Sequence, residues 1–287
     1  MKIQEQAPAK INLALNILGR RTDGYHELRM VMQSVSLCDT VTVEETGIGF
    51  TLLADGFTVP AGKSSLEQQA AEAFFAAVGR PMPPLTVHLE KTTPAYAGLG
   101  GGSADVAALL RCLRRQYAPE MPVEQLRAIG LTVGSDMPFC VSGGTALAEG
   151  RGERLTALPA LPDCWIVLCK PEFGIPTPAL FTLADAGTPK NRPDIDGMIR
   201  ALSAGDLDGV AAQLCNVFEE FLPEEYHEVF HIKNRLLELG ALSAAMSGSG
   251  PTVFGIFREE TAAKAAETAL KQCYPQTYLA KPVGELV

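Results

Sequence analysis

The sequence predicts an α+β fold in two domains, and three observations lead there. Strand-like and helix-like segments are interspersed without the regular alternation that builds a doubly wound parallel sheet. The 287 residues are long for one core and comfortable for two. A stretch rich in Pro and Leu at 155–164 separates a half that mixes strands and turns from a half that is mainly helical. The domains expected are therefore residues 1–158 and 159–287.

Taken in order, residues 3–18 alternate loosely and read as two strands around Pro8. Residues 39–45 alternate strictly, and 50–55 read as their hairpin partner. Residues 65–78, rich in Ala and Glu, read as a helix, and 85–92 as a strand. After a glycine run at 98–102, Val106, Leu109, Leu110 and Leu113 recur at i, i+3, i+4 and i+7, the apolar stripe of a helix. A short helix at 123–128, a hairpin at 143–158 and a buried strand at 165–170 follow. The second half reads as helices near 195–204, 206–221 and 224–239, a hairpin of 242–246 with 252–257, a helix near 260–272 and a strand at 276–281.

Composition narrows the function classes. Hydrophobic residues make up 47% and charged residues 20%, so burial is not limiting. A net charge of −9, with no Lys/Arg run, argues against a nucleic-acid partner and against attraction to anionic membrane. An anionic ligand must then be held by local donors. No apolar stretch reaches membrane-spanning length, and the opening residues carry no apolar signal core. Seven cysteines, an odd number without a Cys-x-x-Cys pair, read as reduced thiols packed as small apolar groups. A cytoplasmic location is the expectation.

The central motif is Pro94-Ala95-Tyr96-Ala97-Gly98-Leu99-Gly100-Gly101-Gly102-Ser103-Ala104, between a strand and an amphipathic helix. Glycines let the backbone approach a ligand, and the following helix start offers free amides and the positive end of its dipole. Together they form a phosphate cradle, with the Ser103 hydroxyl available to a phosphate or its metal ion. The loop lacks the Gly-Lys-Ser/Thr ending of the Walker A motif, and Ser103 stands where the dinucleotide fingerprint has its third glycine. The plain alternative is a flexible turn with Ser103 as an N-cap.

Other candidates have plain readings too. Asp136, before Met137-Pro138, is placed to cap a short helix. Lys10 sits in an apolar strand, where a Lys is usually at an edge or reaching for water, and shares a face with Asn12. Tyr25-His26 follows the turn pair Asp23-Gly24, and Ser247 to Pro251 fits a tight hairpin loop. His227-Glu228-Val229-Phe230-His231 matches the zinc-protease pattern H-E-x-x-H, but no histidine follows it to complete a metzincin set.

Three segments in order and spacing resemble the GHMP small-molecule kinases over essentially the whole chain: Pro8-Ala9-Lys10-Ile11-Asn12-Leu13 continued by Asp23-Gly24-Tyr25-His26-Glu27-Leu28, the glycine loop, and Met246 to Thr252. The resemblance implies a two-domain α+β fold with the active site in the cleft between the domains, a kinase using ATP and Mg²⁺, and a small-molecule substrate carrying a CDP group. It implies that the 94–104 loop binds ATP and that Lys10 and Asp136 are the catalytic pair. Tyr25 and Phe181 would sandwich the cytosine while His26 reads its polar edge, and Asn12 and Thr177 would lie near the substrate. Gly248, Ser249 and Gly250 would close over phosphates or substrate, and no residue is assigned as a metal ligand. The chain departs from the pattern at Ala104, Ser65 and Val217, where Ser, Asn and Asp are expected. The oligomeric state stays open between a monomer and a weak homodimer. A non-catalytic relative that senses ATP or a sugar is the third alternative.

Overall fold

The structure, a computed structural model, describes residues 2–54 and 64–287. Its first strand, β1 (Lys2–Arg20), is one continuous element and not the expected pair around Pro8. Residues 7–17 are buried on both faces, so alternation is lost as a signal there. A shift in register between Pro8 and Lys10 against β2 (His26–Glu44) carries the proline within the ladder. The expected hairpin of 39–45 with 50–55 is corrected. β3 (Phe50–Ala54) runs parallel to β4 (Leu85–Glu90), and β4 lies between β3 and β2. Helix α1 (Leu66–Ala77) supplies the crossover that parallel pairing requires. Asp55, the end of the expected partner, lies outside the described residues.

Helix α2 (Gly101–Tyr117) buries the predicted stripe: Val106, Leu109, Leu110 and Leu113 are fully inaccessible. Each such side chain contributes about 1.5–3 kcal/mol on burial. It packs with α3 (Val123–Leu131) and α4 (Met137–Ser142) behind the first sheet. β5 (Thr145–Gly150) and β6 (Arg154–Ala157) form the expected hairpin, and β5 joins the sheet at β2.

The second sheet begins with β7 (Trp165–Cys169), after which come α5 (Thr177–Ala186), α6 (Ile195–Ala204), α7 (Leu207–Ala212) and β8 (Cys215–Asn216). The single helix expected at 206–221 is therefore corrected. Asn216 interrupts it by accepting from the Phe218 amide and donating to the Met246 and Gly248 carbonyls, the competition with helix backbone that Asn side chains offer. The expected helix at 224–239 is shorter, with a 3₁₀ turn at Glu224–Tyr226 before α8 (Glu228–Glu238). β9 (Ser243–Met246) and β10 (Val253–Phe257) make the predicted hairpin, followed by α9 (Glu260–Lys271), β11 (Thr277–Ala280) and β12 (Pro282–Val283).

Among the described residues the first sheet has eight strands and the second four, in the order β11-β7-β10-β9. Two short strands return to the first sheet: β8 beside β1, and β12 beside β2. Ile11 and Val31 of the first sheet share a buried cluster with Ile166, Leu168 and Phe254 of the second. This mixed α+β arrangement holds the glycine loop, β1 and the β9–β10 loop against one another. No helix among the described residues is long and apolar enough to cross a membrane.

Candidate active site

Most of the predicted residues converge on one cleft of about 940 Å³, a size suited to a small molecule. In the glycine loop, Gly98 (φ 73°) and Gly100 (φ 68°) adopt the left-handed conformation. A Cβ at Gly98 would stand 2.2 Å from the Ser247 carbonyl oxygen, and one at Gly100 would stand 3.0 Å from Lys10 Cγ. Gly100 is the N-cap of α2, so Ser103 is inside the helix and does not cap it. The first intrahelical acceptor is Gly100, paired with the Ala104 amide at 2.8 Å, which leaves the amides of residues 101–103 for other partners. Tyr96, Gly98, Gly100 and Ser103 line the cleft. Ala97, Leu99 and Ala104 turn into the core, and Pro94 and Ala95 lie away from the cleft wall.

Lys10 enters from β1, only 5% exposed. Its amide donates to the Leu99 carbonyl at 2.9 Å, which ties the strand to the loop. Its ammonium donates to Asn12 Oδ1 at 2.9 Å and lies 3.6 Å from Asp136 Oδ2. Asp136 stands at the head of α4, yet its carboxylate makes no capping bond and is directed toward Lys10 instead. The β9–β10 loop closes the same end. Ser247 Oγ donates to the Gly98 carbonyl at 3.0 Å, and Ser249 pairs with Thr177 at 2.6 Å. A Cβ on Gly248 would sit 3.2 Å from Lys10 Nζ.

The other end holds Tyr25, His26 and Phe181, in an arrangement that differs from the expected sandwich. Phe181 stacks on the His26 ring, centroids 4.3 Å apart and planes at 18°, with the edge of Phe218 behind it. Tyr25 is half-exposed and carries the Arg151 guanidinium over its ring at 4.5 Å. Stacking on neighbours in this way covers aromatic faces that otherwise meet water. Ser65, where the resemblance expects Asn, caps α1 by accepting from the Gln68 amide.

Several residues of the site escaped the sequence reading. Arg20, Arg151 and Asp185 line the cleft, and their role shows only once distant segments meet. Arg111 is buried and donates to the Cys140 and Gln6 carbonyls at 2.7 Å each, locking α2 and α4 to β1 and thereby Asp136 to Lys10. A buried charge cluster lies beneath the loop: Lys91 bridges Asp39 and Asp105. Asp39 also accepts from the Thr92 and Thr93 amides, whereas Asp105 Oδ1 has no partner among the described residues. Burial, with the Asp39 carboxylate nearby, pushes Asp105 up to about 7 against the pull of Lys91.

A raised carboxyl stabilises the fold fully below the unfolded pKa of about 4 and loses that contribution as pH rises through about 7. Asp105→Asn is therefore expected to gain about 2–3 kcal/mol on wild type between roughly pH 5 and pH 8. Urea denaturation at the two pH values reads this directly, and a difference that does not change with pH contradicts the assignment.

The H-E-x-x-H segment lies at the start of α8. Glu228 accepts from the Tyr274 hydroxyl, His227 packs edge-on against Phe230, and His231 projects into solvent. No cluster of three His, Cys, Asp or Glu able to hold a metal occurs among the described residues. Cys112, Cys140, Cys164 and Cys169 are buried, and burial pushes each thiol up to about 12, the state of inert packing groups.

An amide cradle at a helix start, a buried lysine and an open carboxylate in one cleft make the class a phosphotransferase one. Comparison with known proteins agrees. The model of the GHMP kinases N terminal domain matches residues 65–144, and that of the GHMP kinases C terminal matches 198–276. A 4-diphosphocytidyl-2-C-methyl-D-erythritol kinase of Moorella thermoacetica is 42% identical, over 96% of this chain and 97% of the relative. One of Listeria monocytogenes is 39% identical over 99% and 97%. A crystal structure of 4-(cytidine 5'-diphospho)-2C-methyl-D-erythritol kinase superposes with a TM-score of 0.82 at 32% identity, covering 98% of this chain and all of that one. The chain belongs to the GHMP kinase family, small-molecule kinases that use ATP as co-substrate.

Proposed function

We propose that this enzyme transfers the γ-phosphoryl group of ATP to the 2-hydroxyl of 4-diphosphocytidyl-2-C-methyl-D-erythritol, giving the 2-phosphate and ADP, in the non-mevalonate route to isoprenoid precursors. The observation that carries the reading is the meeting of Lys10, Asp136 and both glycine loops at one end of a cleft whose other end holds Tyr25, His26 and Phe181. The relatives at 39–42% identity support it, since they bear that activity in their names.

In this mechanism the amides of the 98–103 segment cradle the ATP phosphates. The acceptor hydroxyl donates to the Asp136 carboxylate, which takes its proton as the new O–P bond forms and the bond to ADP breaks. Lys10, held by Asn12, stabilises charge at the reacting oxygens. Asn12 and Thr177 orient the substrate beside them. Tyr25 and Phe181 supply the aromatic surfaces for the base, Tyr25 by exchanging the Arg151 guanidinium and Phe181 part of its stack on His26 for the base, worth about 1–3 kcal/mol for each stack. Ser103 and Asp136 offer a hydroxyl and a carboxylate on the cleft wall that would hold Mg²⁺ together with the substrate phosphates, since that ion needs only one or two protein oxygens. When bound it neutralises charge on the β- and γ-phosphates.

On this reading residues 1–158 form the ATP-binding domain and 159–287 the second domain, working in the cytoplasm as a monomer or weak homodimer without a nucleic-acid partner. ADP release with ATP and Mg²⁺ tests the function, with the CDP-linked substrate offered beside homoserine, mevalonate and galactose. Turnover with the cytidine compound alone is expected. Turnover with another acceptor keeps the kinase and sinks the base pocket.

A further inference from the structure

Helix α5 holds the His26 ring from two directions. Phe181 lies flat on the imidazole. Asp185, one helical turn further along and on the same helix face, meets Nε2 at 2.7 Å. Arg20 reaches within 3.8 Å of the other Asp185 oxygen. The ring is well enclosed, with 9% of its side chain exposed, yet it lines the cleft. Its Nδ1 pairs with no protein group among the described residues, so it can meet a ligand in the cleft that the ring lines.

An ionised carboxylate only accepts, so the ring must donate to it from Nε2. A neutral imidazole that carries its proton on Nε2 presents a bare lone pair at Nδ1. We propose that Asp185 is a positioning residue for base selection: by holding His26 in the Nε2–H form, it makes Nδ1 an acceptor for an exocyclic amine and admits cytosine over uracil. A uracil carbonyl in the same place would set lone pair against lone pair, and a buried polar group left unpaired discriminates strongly. This deepens the proposed function and rests on its reading of the Tyr25, His26 and Phe181 end as a nucleobase pocket.

Two measurements test it. The first compares kcat and KM for the CDP-linked substrate and its UDP counterpart in wild type and Asp185→Ala. Wild type is expected to prefer the cytidine form. The variant is expected to raise KM for that form roughly tenfold, with kcat little changed, and to lower the cytidine-to-uridine preference by at least about tenfold. Equal increases in both KM values, with the preference intact, would make Asp185 a structural latch and overturn the proposal while leaving the pocket. Absence of any preference in wild type overturns the pocket reading together with it. The second measurement needs no variant of Asp185: ¹⁵N spectra of histidine-labelled wild type at about pH 8, with the His26 signals assigned through His26→Gln. A neutral ring protonated at Nε2 supports the proposal. A proton on Nδ1, alone or on a doubly protonated ring, overturns it.

Discussion

Asp136→Asn is expected to lower kcat by about 10²–10⁴-fold, the range for removing a positioned proton acceptor, while ATP affinity stays close to that of wild type. The geometry argues for a clean loss. The carboxylate faces the Lys10 ammonium at 3.6 Å and makes no capping bond at the head of α4, so the amide removes a charge from the cleft without removing a helix cap. Single-turnover kinetics read the chemical step, and calorimetric titration reads ATP binding. A fall of less than about tenfold would remove Asp136 as proton acceptor and leave it as a group that orients the hydroxyl. Unchanged turnover would remove it from the reaction altogether.

Gly98→Ala is expected to cost about 2–4 kcal/mol of stability and to raise KM for ATP at least about tenfold. The left-handed backbone at Gly98 alone penalises a Cβ by roughly 1–2 kcal/mol. The larger obstacle is the neighbour, because that Cβ would meet the Ser247 carbonyl at 2.2 Å and the Gly250 amide at 2.9 Å. Backbone atoms cannot swing aside, so the two glycine loops must part, and the Ser247–Gly98 hydrogen bond goes with them. Gly102→Ala is the informative comparison, since nothing among the described residues lies within 4 Å of its would-be Cβ. There the stability should hold and only KM should move, reporting how closely phosphate approaches the helix start. Thermal melts and initial rates on the two variants make the test. Wild-type KM in Gly98→Ala would show that the loops do not act as a unit.

Local patterns were legible in the sequence, and contacts between distant segments were not. The α2 stripe, the β5–β6 and β9–β10 hairpins and the glycine loop at a strand-to-helix junction all follow from spacing over a few residues. The partner of β3 does not, because alternation reports which face is buried and says nothing of which strand lies beside it. In the same way 206–221 looked helical until Asn216 found carbonyls thirty residues away. Lys10 and Asp136 each have an ordinary explanation when taken alone; only family resemblance joins them in the sequence, and their side chains meet only in the fold. Asp185 shows the limit most plainly. It lies 159 residues from His26 and carries no local signal of its own. The stacking of Phe181 on His26 likewise depends on where α5 meets the start of β2.

The return of residues 282–286 to the first sheet bears on how the chain is made. β12 pairs with Ser34 and Val35, the Val283 carbonyl accepts from the Gln33 side chain, and the Leu286 amide donates to Ser142 at the end of α4. Those partners leave the ribosome early, while the strand that completes them comes last of all the described segments. Until then, part of β2 waits with unpaired backbone beside α4, the helix that carries Asp136 at its head. Domains generally fold as units during synthesis, the N-terminal one first. Here a polypeptide released before residue 282 lacks both the strand that pairs with Ser34 and Val35 and the Leu286 bond to the end of α4, the helix headed by Asp136.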